Sequence, residues 1–292
     1  MDQHYDRVIE DLGNVVALEH VNVRIADQRL ATLFYVTGLG LTRDPYLMTS
    51  TDNMWINVGR SQFHLPTGAP QVLRGHTGIV IPDLGDLRRR LAQMRQPLAD
   101  TEFAYHEHNA YIDVVSPWGN RLRCFGPQER FGRINLGIPY VEFEVPAGTA
   151  AGIARFYREI MEAKAETIED GDGRRAQVPV GADQELVFRE TDVAPAAYDG
   201  HHIQVYVADF SGPHGRLRER GLITEESDQH PYRFEDIVDP DSGKVLFTIE
   251  HEIRSMRHPL YARPLVNRNP AQTNRNYVPG RDAWMWSTAN GN

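Results

Sequence analysis

Histidine and carboxylate residues mark the places where this chain could do chemistry. In LEHVNVRI, residues 18–25, His20 stands inside a strand-like run, where an imidazole serves either as a metal ligand or as an ordinary hydrogen-bonded strand residue. In YHEHNA, residues 105–110, His106 and His108 flank Glu107 at a point where a hairpin turn belongs, so a solvated loop accounts for them. In TIEHE, residues 248–252, strand alternation puts Glu250 and Glu252 on one face and His251 on the other, so the resemblance to a metal motif is superficial. EDGDGRR, residues 169–175, has the Asp and Gly of a tight turn but lacks the acidic series and terminal Glu of a calcium loop. Cys124, the only cysteine, reads as a small buried hydrophobe and not as a nucleophile.

The elements that position these groups belong to a folded chain. With 292 residues, 41% of them hydrophobic, the chain can bury a substantial core. Its net charge of −9 argues against nucleic acid or an anionic membrane surface as partner and favours a small molecule. The absence of an intramolecular disulfide suits a reducing compartment. MDQHYDRVIEDLG is too polar for a signal peptide and no apolar run has membrane-spanning length, so a cytoplasmic protein is expected. Tyr5, Val8, Ile9 and Leu12 recur at helical spacing, which predicts a short amphipathic helix within residues 1–14, packed on the body.

The chain also repeats itself. RLATLFYVTGLGL (29–41) and GIARFYREIMEAK (152–164) both follow a strand and carry Phe-Tyr in an amphipathic helix. GHTGIVIPDLGDLRRRL (75–91) and HHIQVYVADFSGPHGRLRERGL (201–222) each run from a β-branched strand to a helix start at Asp83 or Asp209, where Asp caps free backbone N–H groups. SPWGNRLRCF (116–125) and DPDSGKVLFTIE (239–250) are matching closing strands opened by Pro/Gly turns. Four units follow, each a strand, a helix and three strands, which makes the fold class α+β. Taken two by two they predict one domain over 15–128 and another over 136–253, joined by a linker at 129–135. The aperiodic stretch 254–292 reads as an extended C-terminal arm that could lie on a partner subunit, as in a homodimer.

A strand ending in His-Val-x-Val, a helix with Phe-Tyr before Gly-Leu-Gly-Leu, a later Gly-His strand and a Pro-x-Gly-Asn-Arg-Leu closing strand together resemble the vicinal oxygen chelate superfamily, which includes glyoxalase I, extradiol dioxygenases and bleomycin-binding proteins. The resemblance implies two tandem domains whose four βαβββ units form half-open curved sheets, with metal ligands on the first and last strands of each unit. Carried over by position, those ligands are His20, His64 in SQFHLP, and His76. The usual fourth ligand, a Glu after Gly-Asn-x-x, is Arg123 here, and a guanidinium cannot ligate. By alternation Asn22 and Gln62 share the faces of His20 and His64, and Arg121 shares that of Arg123, giving a polar wall for an oxygenated anion. Trp55 adds an aromatic surface. In the second half Tyr140 replaces the first-strand histidine, leaving Tyr140, His202 and Glu250 as an alternative site.

The resemblance therefore implies an enzyme, dioxygenase-like in layout, that holds a divalent metal (Fe2+, Zn2+, Mn2+ or Ni2+) and lets a small anionic or aromatic substrate chelate it. No catalytic base stands out. The rival is a metal-free binding protein of the bleomycin-resistance kind, with aromatic side chains stacking on its ligand.

Overall fold

The computed structural model describes residues 5–44, 47, 52–263 and 265. Four βαβββ units are present, as the repeats require. Unit one comprises β1 (Val15–Asn22), α1 (Gln28–Ala31, continued by a π-wound segment Thr32–Gly38), β2 (Thr42–Arg43), β3 (Asn53–Val58) and β4 (Ser61–Pro66). Unit two comprises β5 (Gly75–Val80), α2 (Leu84–Met94), β6 (Ala104–Glu107), β7 (Tyr111–Val115) and β8 (Arg121–Phe125). Unit three runs through β9 (Gly137–Pro146), α3 (Ala150–Glu159), β10 (Glu166–Asp170), β11 (Gly173–Pro179) and β12 (Glu185–Thr191). Unit four runs through β13 (His202–Val207), α4 (Ser211–Glu219), β14 (Ile223–Glu225), β15 (Pro231–Val238) and β16 (Val245–Ser255).

Local chemistry explains the helix starts and faces. The Asp83 carboxylate accepts from the Asp86 N–H and Asp209 accepts from Gly212 N–H, so both expected starts are capped. In α2, Leu87, Leu91 and Met94 lie on one buried stripe, and in α3 Ile153, Ala154, Phe156 and Tyr157 do the same. Among the described residues no helix is long and apolar enough to cross a membrane.

The strands form two eight-stranded mixed sheets, and their membership is not the one expected from sequence order. The first sheet runs β14-β15-β16-β13-β1-β4-β3-β2 and the second β10-β11-β12-β9-β5-β8-β7-β6. Unit one is hydrogen-bonded to unit four and unit two to unit three, whereas the reading above joins neighbours in sequence within 15–128 and 136–253. In every unit the first strand pairs parallel with its own last strand, which leaves its other edge open. That edge is closed by an antiparallel first strand, β13 on β1 and β9 on β5. Alternation identifies the open edge but not which strand fills it.

The two sheets share one apolar core. Gly59, at the tip of the β3–β4 hairpin, has φ +66°, and a side chain there would run into the Leu136 carbonyl, so glycine lets the first sheet's hairpin abut the approach to β9.

Both chain ends depart from expectation. In place of the helix within residues 1–14, the described part of that segment has one 3-10 turn, Val8–Glu10, and Tyr5, Val8, Ile9 and Leu12 are exposed instead of packed. A stretch this short, with no buried apolar face, lacks the packing that would sustain a longer helix. Arg254 belongs to β16, not to the arm. After Ser255 the chain turns back on its own first sheet, where the Arg263 guanidinium bonds Asp44 at 2.7 Å and the Leu265 carbonyl accepts from Asn57. Residues 266–292, on which the expected partner contact mainly rests, lie outside the described residues.

Candidate metal centre and a second cavity

The junction of β1 and β13 brings first-strand side chains of units one and four face to face. Register places His20 opposite Gln204 and Asn22 opposite His202. On the flanking strands His20 lies beside Gln62, Asn22 beside His64, His202 beside Glu250 and Gln204 beside Glu252. The arrangement has a local two-fold relation in which His20 corresponds to His202, and His64 to Glu252.

On this concave face His20, His64 and His202 each offer a ring nitrogen, and the three atoms lie within 4.8 Å of one another. Their Nε2 atoms are buried and have no hydrogen-bond partner. The Nδ1 atoms are all engaged: His20 with Glu19 at 3.3 Å, His64 with the Asn22 amide at 2.6 Å, and His202 with Glu250 at 3.1 Å. Clustered imidazoles engaged at Nδ1 and unpartnered at Nε2 are in the arrangement that metal sites use. At His64 the group facing Nδ1 is the Asn22 amide nitrogen, and an end-for-end turn of that amide would let its oxygen accept Nδ1–H and keep the Nε2 lone pair free. Burial drives the pKa of His20 well below its ordinary value despite the raising effect of Glu252. Burial, then repulsion from His20, does the same to His64, so both rings keep a free lone pair.

Glu252 is the adjoining carboxylate, 3.7 Å from His202 Nε2. Burial alone would raise its pKa, but Arg254, His20 and Arg233 outweigh burial and hold it down at about 2. Arg254 bonds Glu252 at 2.5 Å and Glu19 at 2.9 Å, and Arg233 spans Glu250 at 2.8 Å and Glu252 at 2.7 Å. Tyr206 completes the network by donating to Glu19 at 2.9 Å. Trp55 stacks on His64 at 3.8 Å between ring centres and meets the His20 ring edge-on at 4.9 Å. Gln62 donates to Asp44 and Asn57, tying the polar wall to the returning C-terminal segment. Three imidazole nitrogens beside an ionised carboxylate fit a divalent cation of the zinc, iron, manganese or nickel type.

The junction of β5 and β9 forms a second concave face with a cavity of about 770 Å³, whose lining includes His76, Tyr111, Arg123, Phe125, Arg130 and Tyr140. Register makes Tyr140 the counterpart of His20, Val187 of His64, His76 of His202 and Arg123 of Glu252. His76 Nε2 lies 3.0 Å from the Tyr140 hydroxyl. The Tyr140 ring occupies the space above Gly78, where any side chain would collide with it. Arg189 clasps Glu142 with two 3.0 Å bonds, and Arg123 is held by Asp113 at 2.8 Å.

The sequence matches no family model and no curated protein. The structure is similar to a proposed dioxygenase from Bacillus subtilis subsp. subtilis str. 168, at 15% identity and TM-score 0.54 over 85% of this chain and 87% of that one. It is also similar to glyoxalase I from Zea mays, at 12% identity and TM-score 0.55 over 82% of this chain and 92% of that one. The fold is the vicinal oxygen chelate fold.

Within this vicinal oxygen chelate fold the expected site residues are redistributed. His20 and His64 come together, with Asn22, Gln62 and Trp55 around them, but His76 does not join them. It lies on the other sheet with Tyr140 and Arg123, while His202 and Glu250, expected with Tyr140, stand beside His20. The cause is the exchange of unit partners. Arg121 is half-exposed and bonds Glu144 at the edge of the second face. Cys124 is buried and its thiol is pushed up to about 12, which makes it inert. Sequence reasoning passed over Glu252, Arg254, Arg233 and Glu19. The alternation in TIEHE was the available signal, and it correctly sends His251 to the opposite face, where it stacks on Phe234.

His76 yields a prediction about acid stability. Burial, opposed by Glu142, lowers its pKa from 6.5 to about 4. The unfolded chain then binds a proton that the folded chain refuses, so the stability linked to this residue is present above pH 6.5 and lost as pH falls towards 4. Urea midpoints of metal-free protein across this range are expected to fall less steeply in His76→Gln, which keeps a hydrogen bond but does not titrate. Parallel wild-type and variant profiles would contradict the assignment.

Proposed function

We propose that the protein is a metal-dependent enzyme acting on a small oxygenated, anionic or aromatic substrate, and that its active site lies on the first sheet. The observation that carries this reading is the clustering of three imidazoles, each with a buried, unpartnered Nε2, beside the ionised Glu252. An unpartnered buried polar atom is costly unless something binds it, and here three of them belong to imidazoles whose ring nitrogens lie within 4.8 Å of one another. His20, His64 and His202 would hold the cation, with Glu252 as the adjoining carboxylate. When bound, the metal supplies Lewis acidity towards a carbonyl or enolate oxygen, or, as iron, redox capacity towards dioxygen. Glu250 orients His202, Asn22 orients His64, and Arg233 and Arg254 fix Glu252 in its ionised state. Trp55 shields the histidine pair from water and presents an aromatic surface.

The likeness in fold to glyoxalase I and to a proposed dioxygenase selects the reactions to try. Protein reconstituted anaerobically with Fe2+ would be assayed for dioxygen uptake with catechols, and protein loaded with Zn2+ or Ni2+ for isomerisation of 2-oxoaldehyde–thiol adducts. Turnover is expected in one assay, lost in His20→Ala and retained in His76→Ala. Fully loaded protein that turns over neither panel would reduce the cluster to a structural metal site.

A further inference from the structure

We propose that the second cavity is a metal-independent binding site for a small aromatic carboxylate, distinct from the metal centre and not dependent on the reading of that centre. The two concave faces are built on one plan with opposite chemistry. Where the first carries Glu252 the second carries Arg123, and where the first carries His20 and His64 the second carries Tyr140 and Val187. His76 is the only imidazole left at the corresponding positions, and a guanidinium cannot coordinate a cation, so this face is unsuited to a metal and suited to an anion.

The donors for that anion can be named. Arg130, exposed at the rim, makes no ion pair among the described residues, and its guanidinium lies 4.4 Å over each of the Phe125 and Phe131 rings. Arg123 commits Nε and Nη2 to Asp113 and lies 4.6 Å over the Tyr111 ring, which leaves its Nη1 hydrogens for a ligand. Arg189, by contrast, is satisfied by Glu142. Guanidinium groups stacked on aromatic rings recognise planar carboxylates. The walls supply the complementary apolar surface through Tyr111, Phe125 and Tyr140, while the Tyr140–His76 pair offers a hydrogen bond to a ring substituent. The volume of about 770 Å³ is that of a small-molecule site.

The test is calorimetric titration of chelator-treated protein with benzoate, salicylate and cinnamate, with benzamide and salicylamide as neutral isosteres. At least one carboxylate is expected to bind, its amide about tenfold or more weaker, as expected for loss of a charge-assisted hydrogen bond. Arg130→Gln, at an exposed residue, is expected to weaken the carboxylate by a similar factor, and His64→Ala to leave it unchanged. Absence of binding by all three carboxylates, or equal binding of the amides, would overturn the proposal. Binding lost in His64→Ala but untouched in Arg130→Gln would also overturn it, by placing the anion at the first site.

Discussion

Replacing His202 with alanine is expected to abolish tight metal binding, and replacing His76 to leave it intact. The contrast is sharp because a reading in sequence order assigns the ligand role to His76 and the structure offers His202 in its stead. Each of His20, His64 and His202 contributes a buried nitrogen with nothing else to bind. Loss of an outer-shell partner of a metal ligand typically costs about 10–100-fold in affinity, so loss of a donor itself should exceed roughly 100-fold. Glu250→Gln, which changes the Nδ1 partner of His202 and one contact of Arg233 but removes no donor, should fall in the lower range. Metal content by mass spectrometry, for protein purified without chelator or nickel resin, and competition titration of the apoprotein would measure both effects. Metal retained in His202→Ala, or lost in His76→Ala, would move the centre elsewhere.

The second large effect concerns the charges that hold the carboxylate. Arg254 is nearly buried and joins Glu252 to Glu19. Truncating it to alanine leaves Glu19 without its guanidinium partner and Glu252 with Arg233 alone in a poorly solvated place, and breaking a buried ion pair in this way costs about 3–5 kcal/mol. Urea unfolding of metal-free Arg254→Ala at neutral pH should show a loss of that order. Combining Arg254→Met with Glu19→Gln and Glu252→Gln should recover part of it, since the cost lies mainly in the orphaned charges. A loss below about 1 kcal/mol would mean that the network behaves as a solvated surface pair.

The residues explain how much of this could be read in advance. The Phe-Tyr helices and the Asp83 and Asp209 starts are local signals, since helix periodicity and capping depend on near neighbours in the chain, and all four units could be counted from them. The face shared by His20 and Asn22, and that shared by Gln62 and His64, followed from strand alternation in the same way. Glu252 was legible to the same degree, because TIEHE places it on one face with Glu250. Its nearness to His20 depends on β16 lying in the same sheet as β1, which alternation within TIEHE does not give.

The sequence by itself determined four βαβββ units, the face His20 shares with Asn22 and the face His64 shares with Gln62, and the replacement of an expected carboxylate by Arg123. Only the tertiary structure decided that β1 pairs with β13 and β5 with β9, and therefore that His202 and Glu252 join His20 and His64 while His76 faces Tyr140 and Arg123. Alternation within a strand is dictated by the backbone of that strand. The partner that closes an open edge is chosen by packing between residues about 180 positions apart for β1 and β13 and about 60 for β5 and β9, which no local pattern encodes.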